Sequence, residues 1–374
     1  MLILFNFMNY MNIRIVCDVI LNFDSSIRPA LYLAEELAMH GYEVTILSPF
    51  ISPESESSMR NMGIIPRSMR INFLARNMGQ TFMWFEAWLR EALFRMNSAG
   101  IEGDSLTINF SQMFSIPSSA WYLQGAPSDA LKDISRGLPI YFKVAYRGLS
   151  LIISNLDKVM AKRTRSLSNL IVANSKYCVS LYSKWGIKVD HIIYPPIDCG
   201  LFKPSAMKPS SEYVLTYFGK ETDFTAIKAI ADRNITIKAF GSKFSFVPRK
   251  LLKHPNIEFL GRVSTSKLVD LYSNALYTLF PFTHEPFGYI PLESMACGTP
   301  VLTYNMHGPA EYVINGLTGW LANSRNDLIV KALNLWRNGY ASSIRQNCVR
   351  EAVKFDKKVY VRRWLSLLKE LDMF

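Results

Sequence analysis

Glu285 and Glu293 stand eight residues apart in the run His284-Glu285-Pro286-Phe287-Gly288-Tyr289-Ile290-Pro291-Leu292-Glu293-Ser294-Met295-Ala296-Cys297-Gly298-Thr299-Pro300. The intervening Pro286-Phe287-Gly288 lets backbone N–H groups come close to a ligand, because glycine adds no side-chain bulk. Residues Ile290 to Ala296 read as a short helix that carries the second carboxylate, stopped by Cys297-Gly298 and Thr299-Pro300. A helix N-terminus facing such a loop presents partial positive charge, which suits a phosphate. Carboxylates repel phosphate but accept hydrogen bonds from sugar hydroxyls. The combination describes a pocket for a sugar joined to a phosphate.

This run resembles the E-x7-E motif of the retaining GT-B glycosyltransferases, family four of the nucleotide-sugar-dependent enzymes. The resemblance continues in order along much of the chain. Asn174-Ser175-Lys176 follows the apolar segment Leu170-Ile171-Val172-Ala173. Tyr194-Pro195-Pro196-Ile197-Asp198 and Phe202-Lys203-Pro204 are similar to the family's turn before its linker. Asn256-Ile257-Glu258-Phe259-Leu260-Gly261-Arg262-Val263 resembles its strand-glycine element beside the nucleotide base. Gly308-Pro309-Ala310-Glu311 and Asn315-Gly316-Leu317-Thr318-Gly319-Trp320 complete the pattern. Two glutamates at one spacing are common by chance, whereas a set of elements in family order is not.

The resemblance implies a GT-B fold: α/β, with two Rossmann-like doubly wound domains facing a cleft and a C-terminal helix crossing back to the N-terminal domain. Residues 1–202 with 355–374 would bind the acceptor, and residues 203–354 the nucleotide sugar. The implied activity is transfer of a hexose from a nucleotide-diphosphate sugar to a glycan or lipid-linked acceptor, with retention of anomeric configuration. Breaking the bond to the diphosphate builds negative charge on the leaving group, so fixed cations and N–H donors are needed there. Lys220, after Gly219 at a strand end, occupies the place of the family's first basic residue. Together with Glu285 it forms the expected catalytic pair. The second basic position falls on Thr225, and Lys228, one helical turn on, is the substitute. Phe287, Gly288 and Tyr289 would add backbone donors, while Pro286 has none to give.

Glu285 would receive hydroxyls of the transferred sugar and Glu293 the ribose hydroxyls; the bland alternatives are a loop cap and a surface ion pair. Val263 and Arg262 would border the base, and Glu311 would steady the loop at His307. In the N-terminal half, Asp24-Ser25 replaces the family's Gly-Gly, so that loop is expected to shape the acceptor site. Gln124 stands where relatives carry histidine, and an amide bonds a hydroxyl without titrating. His191, His284 and His307 remain as bases or as structural groups. There is neither a D-x-D strand end nor a histidine cluster. The expected site therefore works without a metal or other cofactor, the nucleotide sugar being co-substrate.

At 374 residues the chain can bury two cores, and 49% hydrophobic with 19% charged residues is ordinary globular composition. Cys17, Cys178, Cys199, Cys297 and Cys348 are scattered, as buried hydrophobes of a reducing compartment would be. The apolar start, Met1 to Tyr10, is too short to span a bilayer, so a cytoplasmic protein is expected. Between Leu131 and Arg165, Lys132, Arg136, Lys143, Arg147, Lys158, Lys162, Arg163 and Arg165 face only Asp133 and Asp157. Interleaved apolar residues make the stretch amphipathic. Two readings stand open: a peripheral contact with anionic lipid at the inner membrane face, or a packed helix pair with solvated lysines.

Hydrophobic patterning places strands at Ile13–Cys17, Glu43–Ser48, Ser105–Phe110, Ala120–Leu123, Asn169–Ala173 and His191–Tyr194. A second series falls at Tyr213–Phe218, Thr236–Phe240, Ile257–Leu260, Tyr277–Phe280 and Val301–Thr303, after a polar linker at Lys203–Ser211. A helix from Ile27 to His40 is expected to be capped by Ser26 or Asp24. The helix Thr81–Met96 carries a second ring stripe, Trp84 and Trp88, suited either to a membrane boundary or to packing. Two other functions fit the composition less well. A nucleotide-sugar epimerase would need a set of titrating groups and would turn over without acceptor. A nucleic-acid-binding protein would need a recognition helix or stacking sheet, and none is visible.

Overall fold

The computed structural model describes residues 12–23, 26–69, 71–76, 80–94, 106–137, 140–205, 212–241 and 247–371. The chain forms two compact units, one of residues 1–128, 150–196 and 358–374, the other of residues 129–149 and 197–357. The chain thus changes unit at Pro196–Ile197, and residues 129–149 belong with the second unit.

The first unit is built on a parallel sheet of seven strands: β1 (Asn12–Val16), β2 (Glu43–Ser48), β3 (Ile65–Ser68), β4 (Leu106–Asn109), β5 (Ser118–Leu123), β6 (Ser168–Ala173) and β7 (His191–Ile192). Their order is β3-β2-β1-β4-β5-β6-β7. In β1, Ile13 and Ile15 pair with Val44 and Ile46, and all four are buried. A parallel sheet covered on both faces selects such apolar runs. The strand β3 escapes the sequence pattern because Pro66 and Arg67 interrupt it; it pairs on one side only, where proline is tolerated. The helix after β1 runs Arg28–Met39, and Ile27 rather than Ser26 takes its N-cap position, with no side-chain cap bond.

The terminal helix Lys357–Leu371 closes the first core. Tyr360, Val361, Trp364, Leu367 and Leu368 are buried among the strand residues. The indole of Trp364 lies 5.6 Å from Phe110 and 5.7 Å from Tyr122, and the Tyr360 hydroxyl donates to Pro29 O at 3.0 Å. In the ring-rich helix Gln80–Phe94, Trp88 is fully buried and the Trp84 indole donates to Asp18 Oδ2 at 3.3 Å. Both indoles of the second stripe are therefore used in packing.

The second unit repeats the design with six parallel strands: β8 (Val214–Phe218), β9 (Ile237–Gly241), β10 (Ile257–Gly261), β11 (Thr278–Phe280), β12 (Val301–Tyr304) and β13 (Gly319–Ala322). Their order is β10-β9-β8-β11-β12-β13. Buried hydroxyls are spent on carbonyls: Thr216 on Leu279 O and Thr303 on Phe280 O, both at 2.8 Å. Strand order reverses where β8 lies between β9 and β11. In open parallel sheets such a switch point opens a crevice at the strands' carboxyl ends. All five cysteines are free thiols. Among the described residues no helix is long and apolar enough to cross a membrane.

Candidate functional site

Two loops leave the carboxyl ends of β8 and β11, and backbone bonds fasten them together. Thr283 N donates to Glu221 O at 2.7 Å, and Asp223 N donates to Pro281 O at 2.9 Å. The first loop turns sharply at Gly219, where a Cβ would collide with the Tyr217 ring and come within 2.7 Å of Glu221 Oε1. The Thr222 hydroxyl holds the turn, accepting from Gly219 N at 2.9 Å and donating to Tyr217 O at 3.0 Å. Asp223 then caps the helix Phe224–Ala231 through Thr225 N and Ala226 N, both at 3.2 Å. Its carboxylate is also held by Tyr304 and Arg325.

The second loop ends at Gly288, whose φ of +91° begins the helix Tyr289–Ala296. A Cβ there would press on Glu285 Cγ, Pro309 Cγ and Tyr312 Oη at 3.1–3.2 Å. Gly308 backs the loop from behind: its N–H donates to Glu285 O at 3.1 Å. A Cβ on Gly308 would collide with Phe287 Cα and Pro286 O and lie 2.6 Å from Phe287 N. These are backbone atoms that cannot swing aside. Gly308→Ala is expected to cost about 1–3 kcal/mol of stability and to displace Glu285; urea unfolding of the variant measures it, and an unchanged midpoint refutes it.

The site is acidic, with Lys220 set against its two carboxylates Glu221 and Glu285. Burial pushes the half-buried Glu285 carboxyl up to about 8; the Glu221 and Asp133 carboxylates add to the rise, while Lys220 and the Phe287 N–H oppose it. Burial also raises the buried Glu221, with Asp133 reinforcing and Lys220 opposing. The phenol of Tyr217 is pushed up by burial and then by Glu221, Glu285 and Glu293, against Arg262. Sequence reasoning missed Glu221. It sits beside Lys220 in the chain, but only the pairing of β8 with β11 puts it next to Glu285.

Glu293 is buried rather than exposed on a helix surface, and the Tyr272 hydroxyl donates to its Oε2 at 3.2 Å. Phe287 gives its N–H to the Glu285 carboxylate, which takes that group from the set of donors expected to face a phosphate. Lys220 and Arg262 are exposed and Val263 and Tyr289 half-buried. Lys228 is exposed on the helix Phe224–Ala231. Its ammonium is 2.6 Å from Asp232 Oδ2 on its own helix, and Asp232 also meets His254. A lysine one turn into the helix finds a carboxylate four residues on, the geometry of a surface pair.

His284 lies between Asp129 at 3.6 Å and Asp133 at 3.7 Å, with Thr283 donating to Asp133 at 3.2 Å. The His307 ring, its pKa lowered by burial, lies near Glu285 N, 3.4 Å from Nδ1. In the first unit, Gln124 spends its amide on Phe110 O at 3.0 Å. Asp24 and Ser25 lie outside the described residues. Asp18, not foreseen from the sequence, follows β1 with its carboxyl pushed up to about 6 by burial. It accepts from Ser111, Trp84 and the N–H groups of Gln112 and Met113. Among the described residues no group of three or more His, Cys, Asp or Glu side chains is placed to hold a metal ion.

Residues 240–355 match the family model described as glycosyl transferases group 1. An uncharacterized glycosyltransferase of Methanocaldococcus jannaschii is 29% identical over 241 residues, 63% of this chain and 62% of that protein. A glycogen synthase of Mycobacterium tuberculosis is 35% identical over 88 residues, 23% of this chain and 21% of that protein. The chain thus matches less than two thirds of the length of these relatives. Among solved structures, Anabaena HepE in complex with UDP-glucose superposes with a TM-score of 0.68 at 15% identity, covering 96% of this chain and all of that one. Sucrose-phosphate synthase from Thermosynechococcus elongatus gives 0.70 at 16% identity, covering 97% and 99%.

Proposed function

We propose, for a chain that belongs through residues 240–355 to the glycosyl transferases group 1 family and folds as the GT-B glycosyltransferases do, that it transfers a hexose from a nucleotide-diphosphate sugar to an acceptor hydroxyl. The donor lies at the switch point between β8 and β11. One observation carries this reading: the bonded loops 219–223 and 281–288 gather Lys220, Glu221 and Glu285 at the start of the helix that holds Glu293.

The acceptor oxygen forms a bond to the anomeric carbon as the bond from that carbon to the diphosphate oxygen breaks. The acceptor proton passes to the departing phosphate on the same face, which retains configuration. Lys220 and the N–H groups opening the helix Tyr289–Ala296 meet the charge that builds on the diphosphate. Glu285 bonds hydroxyls of the transferred sugar, Glu293 those of the ribose, and Arg262 with Val263 borders the base. The acceptor is a glycan or lipid-linked saccharide bound by the first unit.

HepE was solved with UDP-glucose, which makes UDP the first base to test. Thermal melting is measured with UDP-, GDP- and ADP-sugars. A ligand at a hundredfold excess over its Kd adds about 2.7 kcal/mol to the native state, a rise of several degrees in Tm. A folded chain whose melting none of these donors moves would sink the proposal.

A further inference from the structure

Gly219, directly after β8, is required for space, since its φ lies outside the left-handed region. A Cβ there would strike Cε1 of Tyr217 and come within 2.7 Å of Glu221 Oε1. The Tyr217 ring therefore lies against the turn that carries Lys220. It also packs on Phe240, 5.3 Å away between centroids and its register partner on β9. All of these residues belong to the second unit.

Other tyrosines of this unit spend their hydroxyls on the protein. Tyr213 and Tyr277 donate to Leu271 O and Ala332 O, Tyr272 to Glu293 and Tyr304 to Asp223. Tyr217 is half-buried, yet its hydroxyl makes no hydrogen bond among the described residues. A phenol withdrawn from bulk water normally finds a partner. Burial, and then the Glu221, Glu285 and Glu293 carboxylates, hold the proton on this one, with Arg262 opposing. The group is thus a neutral O–H donor among the residues assigned to the sugar, the ribose and the base. A pocket lined by carboxylates has acceptors for hydroxyls already and is short of donors for phosphate. The Phe287 N–H is given to Glu285, Pro286 has none, and Lys228 is paired with Asp232.

We propose, on the donor placement given above, that the Tyr217 hydroxyl donates a hydrogen bond to the β-phosphate of the nucleotide sugar, beside Lys220. It serves the phosphate whose charge grows as the bond to the sugar breaks.

Tyr217→Phe removes the hydroxyl and keeps the ring against Gly219 and Phe240. Parent and variant are titrated calorimetrically with UDP, GDP and ADP and with the matching monophosphates, which lack only the β-phosphate. The variant should bind the diphosphate that its parent prefers about ten- to hundredfold more weakly, as loss of a hydrogen bond to a charged group implies. Its affinity for the monophosphate and its ligand-free Tm should not change; a structural hydroxyl would lower the Tm. Equal diphosphate affinity in parent and variant overturns the proposal. So does an equal loss for the monophosphate, which would put the hydroxyl on the nucleoside or the α-phosphate. Should Tyr217→Phe misfold, Tyr217→Met, which fills much of the same space without a hydroxyl, takes its place in the comparison. A folded parent that binds none of the three diphosphates refutes the donor site, and the Tyr217 contact with it. A parent that binds one of them no better than Tyr217→Phe does refutes the contact alone.

Discussion

Lys220→Ala should lower kcat by about 10²–10³-fold, the loss seen when one fixed donor to developing negative charge is removed. Lys220 is exposed and its ammonium opposes the pKa rise of both Glu221 and Glu285, so it stands over an acidic pocket that a diphosphate would otherwise avoid. The effect is expected in kcat more than in KM, because charge on the leaving oxygen grows only as the bond breaks. Arg325 is no replacement, being engaged with Asp223 at 3.0 Å. Steady-state kinetics with the donor found by thermal shift decide the point. A variant with parental kcat would remove Lys220 from the chemistry.

The second large effect is on stability against pH. In the unfolded chain Glu285 titrates near 4.5, and in the folded protein near 8. Between those values the folded state holds a proton that the unfolded state has released, so stability falls as pH rises through the window. Below 4.5 both states are protonated and the penalty is absent. The parent Tm should therefore decline from acid toward pH 8 more steeply than that of Glu285→Gln, which carries no titrating group. Glu221→Gln removes a carboxylate that raises Glu285 and should flatten the decline. Lys220→Ala removes the opposing cation and should steepen it. Calorimetry of the four proteins at constant ionic strength tests the ordering; parallel curves for the parent and Glu285→Gln would show that the Glu285 carboxyl is not perturbed.

The alternation of strands and helices was legible in the sequence because buried parallel strands must be apolar along their length. The strand Glu43–Ser48 falls where its pattern places it, and others differ by a residue or two at their ends. The loop Pro286-Phe287-Gly288 and its helix were legible too, since glycine and the helix stop are local signals. The strands β3 and β13 were not, one broken by Pro66 and the other a short Gly-Trp-Leu-Ala run.

What a residue does once it is placed depends on partners far away in the chain. Lys228, expected near the diphosphate, pairs with Asp232 at the helix surface, and Gln124, expected at a sugar hydroxyl, donates to Phe110 O. The stripe of Trp84 and Trp88 suited packing somewhat better than lipid, and in the fold Trp88 is buried and Trp84 donates to Asp18. The sequence alone determined the two sheets, the carboxylate pair at eight-residue spacing and the excess of cations between Leu131 and Arg165. Tertiary structure decided that Glu221 and Glu285 share a poorly solvated pocket. The physical reason is that periodicity and turn chemistry act between near neighbours, whereas the electrostatic environment of a side chain is set by whichever strands the sheet places side by side.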